Sequence, residues 1–247
     1  MPDVASSPRR WVFASRVIDR PGGKGMDVMP EPMTVVMVGA GGSLVSLELA
    51  RRQFRFFKEV MDLVGGALAL LLFFPLMVVC AAIIKISDPA GPVLYRQVRV
   101  GLNGRLFTIY KLRSMYVDSE KAGRAVRAGA DDPRVIPWCK WMRKSHVDEL
   151  PQLFNILRGE MSMVGPRPER PELFEELSRE MPDFECRLAV KPGLTGYAQI
   201  YNGYDTDIDA VKRKLRMDLH YIENMSLWLE LKLLFATFAK FRDSGAR

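Results

Sequence analysis

Cysteine and histidine are scarce in this chain. Cys80, Cys139 and Cys186 are the only cysteines in 247 residues. An odd, dispersed set suggests neither a disulfide framework nor a zinc site, and fits a reducing compartment. His146 and His220 are the only histidines, which excludes a multi-histidine metal centre. The first thirty residues carry Arg9, Arg10, Arg16, Arg20 and Lys24 around Pro21-Gly22-Gly23, without an apolar core of signal-peptide length. Residues 1 to about 32 therefore read as a flexible tail. The short β-branched run at 34–38 precedes Gly39-Ala40-Gly41-Gly42-Ser43. A dinucleotide fingerprint needs a second strand with an acidic residue, and the basic and then apolar residues downstream leave no room for one. No internal repeat is present.

Negative charge is also in deficit. Lys and Arg number 36 against 29 Asp and Glu, a net +7, and the pI is about 9.4. An anionic partner is expected: nucleic acid, an acidic membrane surface or a phosphorylated substrate. The excess is local, since residues 96–145 hold twelve Lys/Arg and four Asp/Glu. That segment lacks aromatic–basic stacking platforms, which argues against nucleic acid.

Charge is missing altogether from residues 63–84, a run of 22. About 20 apolar residues suffice to cross a bilayer, and uncharged runs this long are rare in soluble cores. Pro75 lies in the middle, where it removes a backbone hydrogen bond and bends a helix. Both flanks are basic: Arg51, Arg52, Arg55 and Lys58 before, Lys85, Arg96 and Arg99 after. The positive-inside tendency then keeps both ends cytoplasmic. A re-entrant helix-break-helix satisfies length, proline and flanks together. Two further segments look interfacial. Trp138, Trp141 and Met142 alternate with Lys140, Arg143 and Lys144. Leu227, Trp228, Leu231, Leu234, Phe235 and Phe238 recur at helical spacing, which suits a helix packed on the domain as well as one on a membrane surface.

The adjacent acids Asp148-Glu149, beside Pro151 and after Arg143-Lys144, form a poor core segment and a plausible chemical centre. A carboxylate near fixed cations can act as nucleophile or metal ligand while its neighbour moves a proton. With phosphates on the basic cluster, the pair reads as phosphoryl-transfer machinery. The plainer reading is a helix cap: Asp148 as N-cap, Pro in the first turn, an apolar face of Leu153, Phe154, Ile156 and Leu157, and Gly159 as the stop. Residues 93–95 and 106–110 read as strands of a hairpin about Gly101-Leu102-Asn103-Gly104. Residues 118–134 read as a mobile loop. Pro166 and Pro168 stiffen the chain around Arg167 and fix its direction, as bidentate phosphate recognition requires. Lys191 opens a second Pro/Gly-rich turn.

Taken together, these stretches resemble the bacterial sugar transferase family, the monotopic phosphoglycosyl transferases. The matching residues are Tyr95-Arg96-Gln97-Val98-Arg99-Val100-Gly101 and Tyr110-Lys111-Leu112-Arg113-Ser114-Met115. They continue with Asp148-Glu149-Leu150-Pro151-Gln152 through Arg158-Gly159-Glu160-Met161-Ser162, then Val164-Gly165-Pro166-Arg167-Pro168. Residues 191–199 and 223–233 complete the set, in family order over roughly 54–240. Departures are Phe74 before the membrane proline, His146-Val147 before the doublet and Cys139; His146 beside the site could alter substrate choice. The resemblance implies the short form, without the N-terminal membrane bundle of larger members.

That resemblance implies an α+β, mainly helical chain. Residues 1–50 would be an N-terminal extension, 51–87 a re-entrant membrane hairpin, 88–240 a cytoplasmic catalytic domain with a small β-hairpin and interfacial helices, and 241–247 a tail. The implied reaction moves a sugar 1-phosphate from a UDP-sugar to polyprenyl (undecaprenyl) phosphate through an aspartyl phosphosugar, releasing UMP. It is the first membrane step of bacterial glycoconjugate or exopolysaccharide synthesis, at the cytoplasmic face of the inner membrane. Asp148 would be nucleophile, and Glu149 a proton handler or metal support. Mg²⁺ would hold the diphosphate with Asp148 as ligand. Lys111, Arg113, Arg143, Arg158, Arg167 and Lys191 would bind substrate. The expected partners are the donor, the prenyl acceptor and membrane lipids, with a homo-oligomer allowed and no nucleic acid.

Overall fold

A computed structural model describes residues 12–13, 35–36, 44–116, 134–202 and 208–244, with side chains from 53 to 240. The elements run β1 (Val12–Phe13), β2 (Val35–Val36), α1 (Leu44–Ser87), β3 (Leu94–Val100), β4 (Leu106–Leu112), α2 (Lys140–Lys144), α3 (Leu153–Leu157), β5 (Ser162–Val164), α4 (Pro171–Glu180), β6 (Gly193–Thr195), α5 (Tyr197–Tyr201), α6 (Ile208–Glu223) and α7 (Leu227–Ser244). The mainly helical α+β expectation holds. β1 pairs antiparallel with β2. The rest of the expected N-terminal tail, the Gly39–Ser43 cluster and nearly all of the expected loop at 118–134 lie outside the described residues.

The helix α1 is one unbroken assignment of 44 residues, with Pro75 inside it. The expected interruption at Pro75 is corrected in that respect: a proline deletes one backbone bond and can bend a helix without ending it. At a rise of 1.5 Å per residue, α1 would reach roughly 66 Å if straight, about twice a bilayer core. Residues 53–87 are long and apolar enough to cross a membrane, and only 17% of their most apolar window is buried. The buried positions form one stripe, Lys58, Asp62, Gly66, Met77, Cys80 and Ile84, spaced as a single helix face requires. Its early part meets Ile156 and Leu157 of α3 at Gly66. Its late part enters a core with Leu112, Ile136, Cys139 and Met142. Between these, Leu71 is 76% and Leu72 71% exposed.

β3 and β4 pair antiparallel with Arg96 opposite Tyr110 and Tyr95 opposite Lys111. The expected hairpin is present, with longer strands than the pattern suggested. Its turn uses positive φ at Asn103 (55°) and Gly104 (76°), which Asn and Gly tolerate. The short strands β5 and β6 pair in parallel, Ser162 with Gly193 and Val164 with Thr195. The approach is so close that a Cβ on Gly193 would fall 2.0 Å from the Gly165 nitrogen.

A buried polar knot fastens α1 to this region. The Lys58 ammonium donates to the Val164 carbonyl (3.1 Å) and to Glu230 Oε2 (2.7 Å). Tyr221 donates to the same carbonyl (3.0 Å) and to Glu230 Oε1 (2.6 Å). Asp62 Oδ1 accepts from the Met163 N–H at 2.9 Å. Glu230, which directly precedes Leu231 of the C-terminal apolar stripe, is thus fully buried. The packed side of α7 is Glu230 and Leu233, while Trp228 (77%), Phe235 and Phe238 point outward. Met142, grouped with Trp138 and Trp141 as interfacial, belongs instead to the core; the two tryptophans are exposed.

Removing one partner of a buried pair leaves the other charge without compensation. Lys58→Met should lower stability by about 3–5 kcal/mol, read as a lower Tm of the detergent-solubilised protein. An unchanged Tm would show that the knot contributes nothing.

Candidate active site

The Asp148-Glu149 doublet sits in the first turn of a short 3₁₀ helix, Val147–Gln152. Asp148 is not a helix cap. The capping position belongs to His146, whose backbone is left-handed (φ 54°, ψ 16°), and no side chain caps the turn. A non-glycine residue in that region carries strain of order 1 kcal/mol. It reverses the chain out of α2 and directs the doublet against β4. The expected downstream helix is α3, with Leu153 and Ile156 buried and Gly159 at φ 75° ending it.

The two acids have opposite surroundings. Glu149 is buried. Its Oε1 accepts from Lys111 Nζ at 2.8 Å and from Arg167 Nη2 at 2.6 Å, and its Oε2 accepts from Arg167 Nη1 at 3.2 Å. Burial alone would raise its pKa. The charges and hydrogen bonds of Arg167 and Lys111 outweigh burial and hold it well below the ordinary range. Glu149 is therefore a fixed anion that positions two cations, a poor fit to proton handling near neutrality. Asp148 is half-buried, and no hydrogen bond or ion pair to the described residues engages its carboxylate. Burial and the neighbouring Glu149 push it up to about 6, against the opposing pull of Lys111, Arg143 and Arg167.

The loop carrying Arg167 is fixed from several sides. The carbonyls of Val164, Pro166, Arg167, Pro168 and Glu169 all accept hydrogen bonds, from Lys58 and Tyr221, the Gly193 N–H, Arg187, Arg99 and the Val100 N–H respectively. Two buried ion pairs, Lys214–Glu169 at 2.7 Å and Arg187–Asp218 at 2.8 Å, brace it further. Sequence reasoning missed these residues, since each braces the site only through a partner distant in the chain.

Of the expected substrate-binding cations, the structure brings Lys111 and Arg167 onto Glu149, with Arg143 close enough to act on Asp148. Arg143 also donates to Ser114 Oγ at 3.4 Å. The other three have different partners. Arg113 is buried and bonds the Asp88 side chain and carbonyl, closing the turn after α1. Arg158 donates to the Tyr110 hydroxyl at 2.9 Å. Lys191 lies 3.4 Å from Glu59 of α1.

Among the described residues no group of three or more His, Cys, Asp or Glu side chains gathers to hold a metal. A divalent ion that keeps its waters and binds through one carboxylate plus phosphate oxygens needs no such group. The uncommitted Asp148 carboxylate fits that mode.

A shielded carboxylate facing three cations, on a domain packed along an apolar helix, is an arrangement that suits an anionic ligand. The chain belongs to the bacterial sugar transferase family, whose profile matches residues 53–243. A UDP-N-acetylgalactosamine-undecaprenyl-phosphate N-acetylgalactosaminephosphotransferase of Aeromonas hydrophila is 44% identical over 74% of this chain and 43% of its own length. An undecaprenyl-phosphate glucose phosphotransferase of Komagataeibacter xylinus is 42% identical over 74% of this chain and 35% of its own length. A UDP-glucose:undecaprenyl-phosphate glucose-1-phosphate transferase of Caulobacter vibrioides is 40% identical over 73% and 67%. The chain thus spans less than half the length of the first two relatives.

Because its folded pKa is depressed, Glu149 contributes stability that is present above its unfolded value, about 4.3, and is lost as pH falls through the folded value. Glu149→Gln should cost about 2–4 kcal/mol at pH 7, discounted for the partly open Arg167. It should also flatten the loss of Tm on acidification below about pH 4. A wild-type acid profile in the variant would sink the anchor role.

Proposed function

We propose that the chain transfers a sugar 1-phosphate from a UDP-sugar to polyprenyl phosphate, with Asp148 as the nucleophile. The observation that carries this reading is the unengaged Asp148 carboxylate facing cations that Glu149 holds in place. The names of the relatives, all undecaprenyl-phosphate sugar phosphotransferases, support the substrate classes. They name different sugars, so the donor is left as a hexose or N-acetylhexosamine.

In the first half-reaction an Asp148 oxygen attacks the β-phosphorus. The bond from that phosphorus to the bridging oxygen breaks, and UMP carries the electron pair away. In the second, an oxygen of the prenyl phosphate attacks the same phosphorus and releases the Asp148 carboxylate. Dividing the reaction suits one substrate from water and one from lipid. Phosphoryl transfer depends on positioning and charge neutralisation, which fall to Lys111, Arg143 and Arg167. Mg²⁺, if bound, would rest on Asp148 and the diphosphate and neutralise charge there. Glu149 keeps Arg167 and Lys111 aimed.

The packing of α1 supports a membrane placement. Lys58 and Asp62 at one end, and Cys80 and Ile84 at the other, pack on one and the same domain, while Leu71, Leu72 and Phe74 between them are exposed. A straight crossing would carry one of those ends away from the domain. The arrangement supports a helix that enters the cytoplasmic leaflet, bends at Pro75 and returns, with Trp138, Trp141 and the outward stripe of α7 at headgroup depth.

Asp148→Asn should abolish UMP release from UDP-sugar, which the wild type performs before any lipid acceptor is added. Its stability should change oppositely. The folded pKa is raised, so this group's stabilisation is complete below about 3.9 and lost as pH rises through about 6. A neutral Asn should therefore raise Tm at pH 7 by a few degrees, on the order of 1–2 kcal/mol after screening. Retained UMP release overturns the nucleophile assignment. For topology, a cysteine placed at Arg55 should resist an impermeant maleimide in intact cells and react in opened ones, against native cysteines that are all buried. Ready labelling of intact cells sinks the one-sided placement.

A further inference from the structure

The outer face of the hairpin carries a cationic cluster that the reaction above does not use. Arg96 and Arg158 both lie over the Tyr110 ring, at 5.9 and 5.2 Å from its centroid. Arg96 and Tyr110 are directly opposed across β3 and β4, so they share one face of the ladder. Arg158 adds a hydrogen bond to the Tyr110 hydroxyl. Lys111, the next residue in β4, belongs to the other face of the hairpin with Glu149. Among the described residues no carboxylate pairs with Arg96 or Arg158. Three other arginines of this domain are matched to acids: Arg113 to Asp88, Arg167 to Glu149, Arg187 to Asp218. Two like charges collected on one ring without an anion leave an uncompensated positive field.

The surroundings are apolar. Leu94 and Val98, two residues to either side of Arg96, are exposed. Phe154 is exposed one turn before Arg158, on the same side of that segment. An open groove of about 420 Å³, lined by Pro92, Leu94, Tyr95, Arg96 and Arg113, begins at Arg96 and reaches the arginine that closes the turn after α1. Ile156 and Leu157, the two residues before Arg158, are those that touch Gly66 of the apolar helix. Guanidinium groups recognise phosphate oxygens through a planar fork of donors. Apolar surface beside them receives a hydrocarbon chain.

We propose that Arg96, Tyr110 and Arg158 form a binding site for a phosphate monoester carried on a lipid chain, with the phosphate on the two guanidinium groups and the chain along the Leu94 groove towards α1. The site deepens the reaction proposed above, and rests on its membrane placement, by giving the lipid phosphate a station on the opposite side of β4 from the nucleophile. Binding here forms and breaks no covalent bond.

The test uses the full chain in a neutral detergent, titrated calorimetrically with decyl phosphate and separately with inorganic phosphate. The wild type should bind decyl phosphate, and Arg96→Gln/Arg158→Gln should weaken that binding ten- to thirtyfold, about fivefold for each charge removed near a membrane surface. Inorganic phosphate should bind far more weakly than decyl phosphate to the wild type. Equal decyl phosphate affinity in wild type and double variant overturns the proposal. So does inorganic phosphate binding as tightly as decyl phosphate with the same loss in the variant, which marks a site for a soluble anion. Should the double variant fail to fold, Arg96→Gln alone is read the same way, since the Arg96 side chain makes no hydrogen bond among the described residues; about a fivefold loss is expected and no loss overturns it. The titration reads binding without turnover, so its failure is distinct from a failure of Asp148 chemistry, which UMP release reports.

Discussion

One carboxylate, Glu149, organises the site. It ties Lys111 of β4 and Arg167 of the proline-flanked loop to the turn that carries Asp148. Three segments far apart in sequence are brought to one anion. Because that anion is saturated by its own cations, the carboxylate beside it stays unengaged. The doublet is thus divided: one acid is satisfied by two cations and the other is left without a partner among the described residues. Burial first, and then the fixed negative charge of Glu149, raise the pKa of Asp148.

Around that centre the backbone is held more firmly than a surface loop ordinarily is. The carbonyls from Val164 to Glu169 are bonded at five of six positions, and Gly165 meets Gly193 at a distance only glycine allows. The two prolines limit the Arg167 loop from within, and the buried pairs of Arg187 and Lys214 limit it from outside. Such bracing suits chemistry in which positioning supplies most of the effect.

What the sequence disclosed, and what it hid, divides along a physical line. The doublet, the stiffened Arg167, the hairpin about Gly101-Leu102-Asn103-Gly104 and the apolar helix were legible because each is written in adjacent residues or a short period. Arg113, Arg158 and Lys191 looked equivalent to Lys111, and their assignments depended on Asp88, Tyr110 and Glu59, which no local pattern announces. Met142 follows Trp141 by one residue, yet a helix turns about 100° per residue, so one enters the core and the other faces out. Glu230 reads as a surface charge until its partner Lys58, 172 positions away, is known. The left-handed His146 gave no signal at all, because nothing but the surrounding structure demands that conformation.

Lys58 turns its ammonium into the protein, and the groups it touches bear on how the chain can be dissected. It belongs to the apolar helix, yet it completes the hydrogen bonding of Val164, three residues from Arg167, and neutralises Glu230 within α7. A fragment starting after α1 would carry a buried carboxylate without its cation and a strand end without its Lys58 donor. The apolar helix is therefore bound into the domain's interior and is not a detachable tether, and a fragment that keeps the fold is not available by truncation alone.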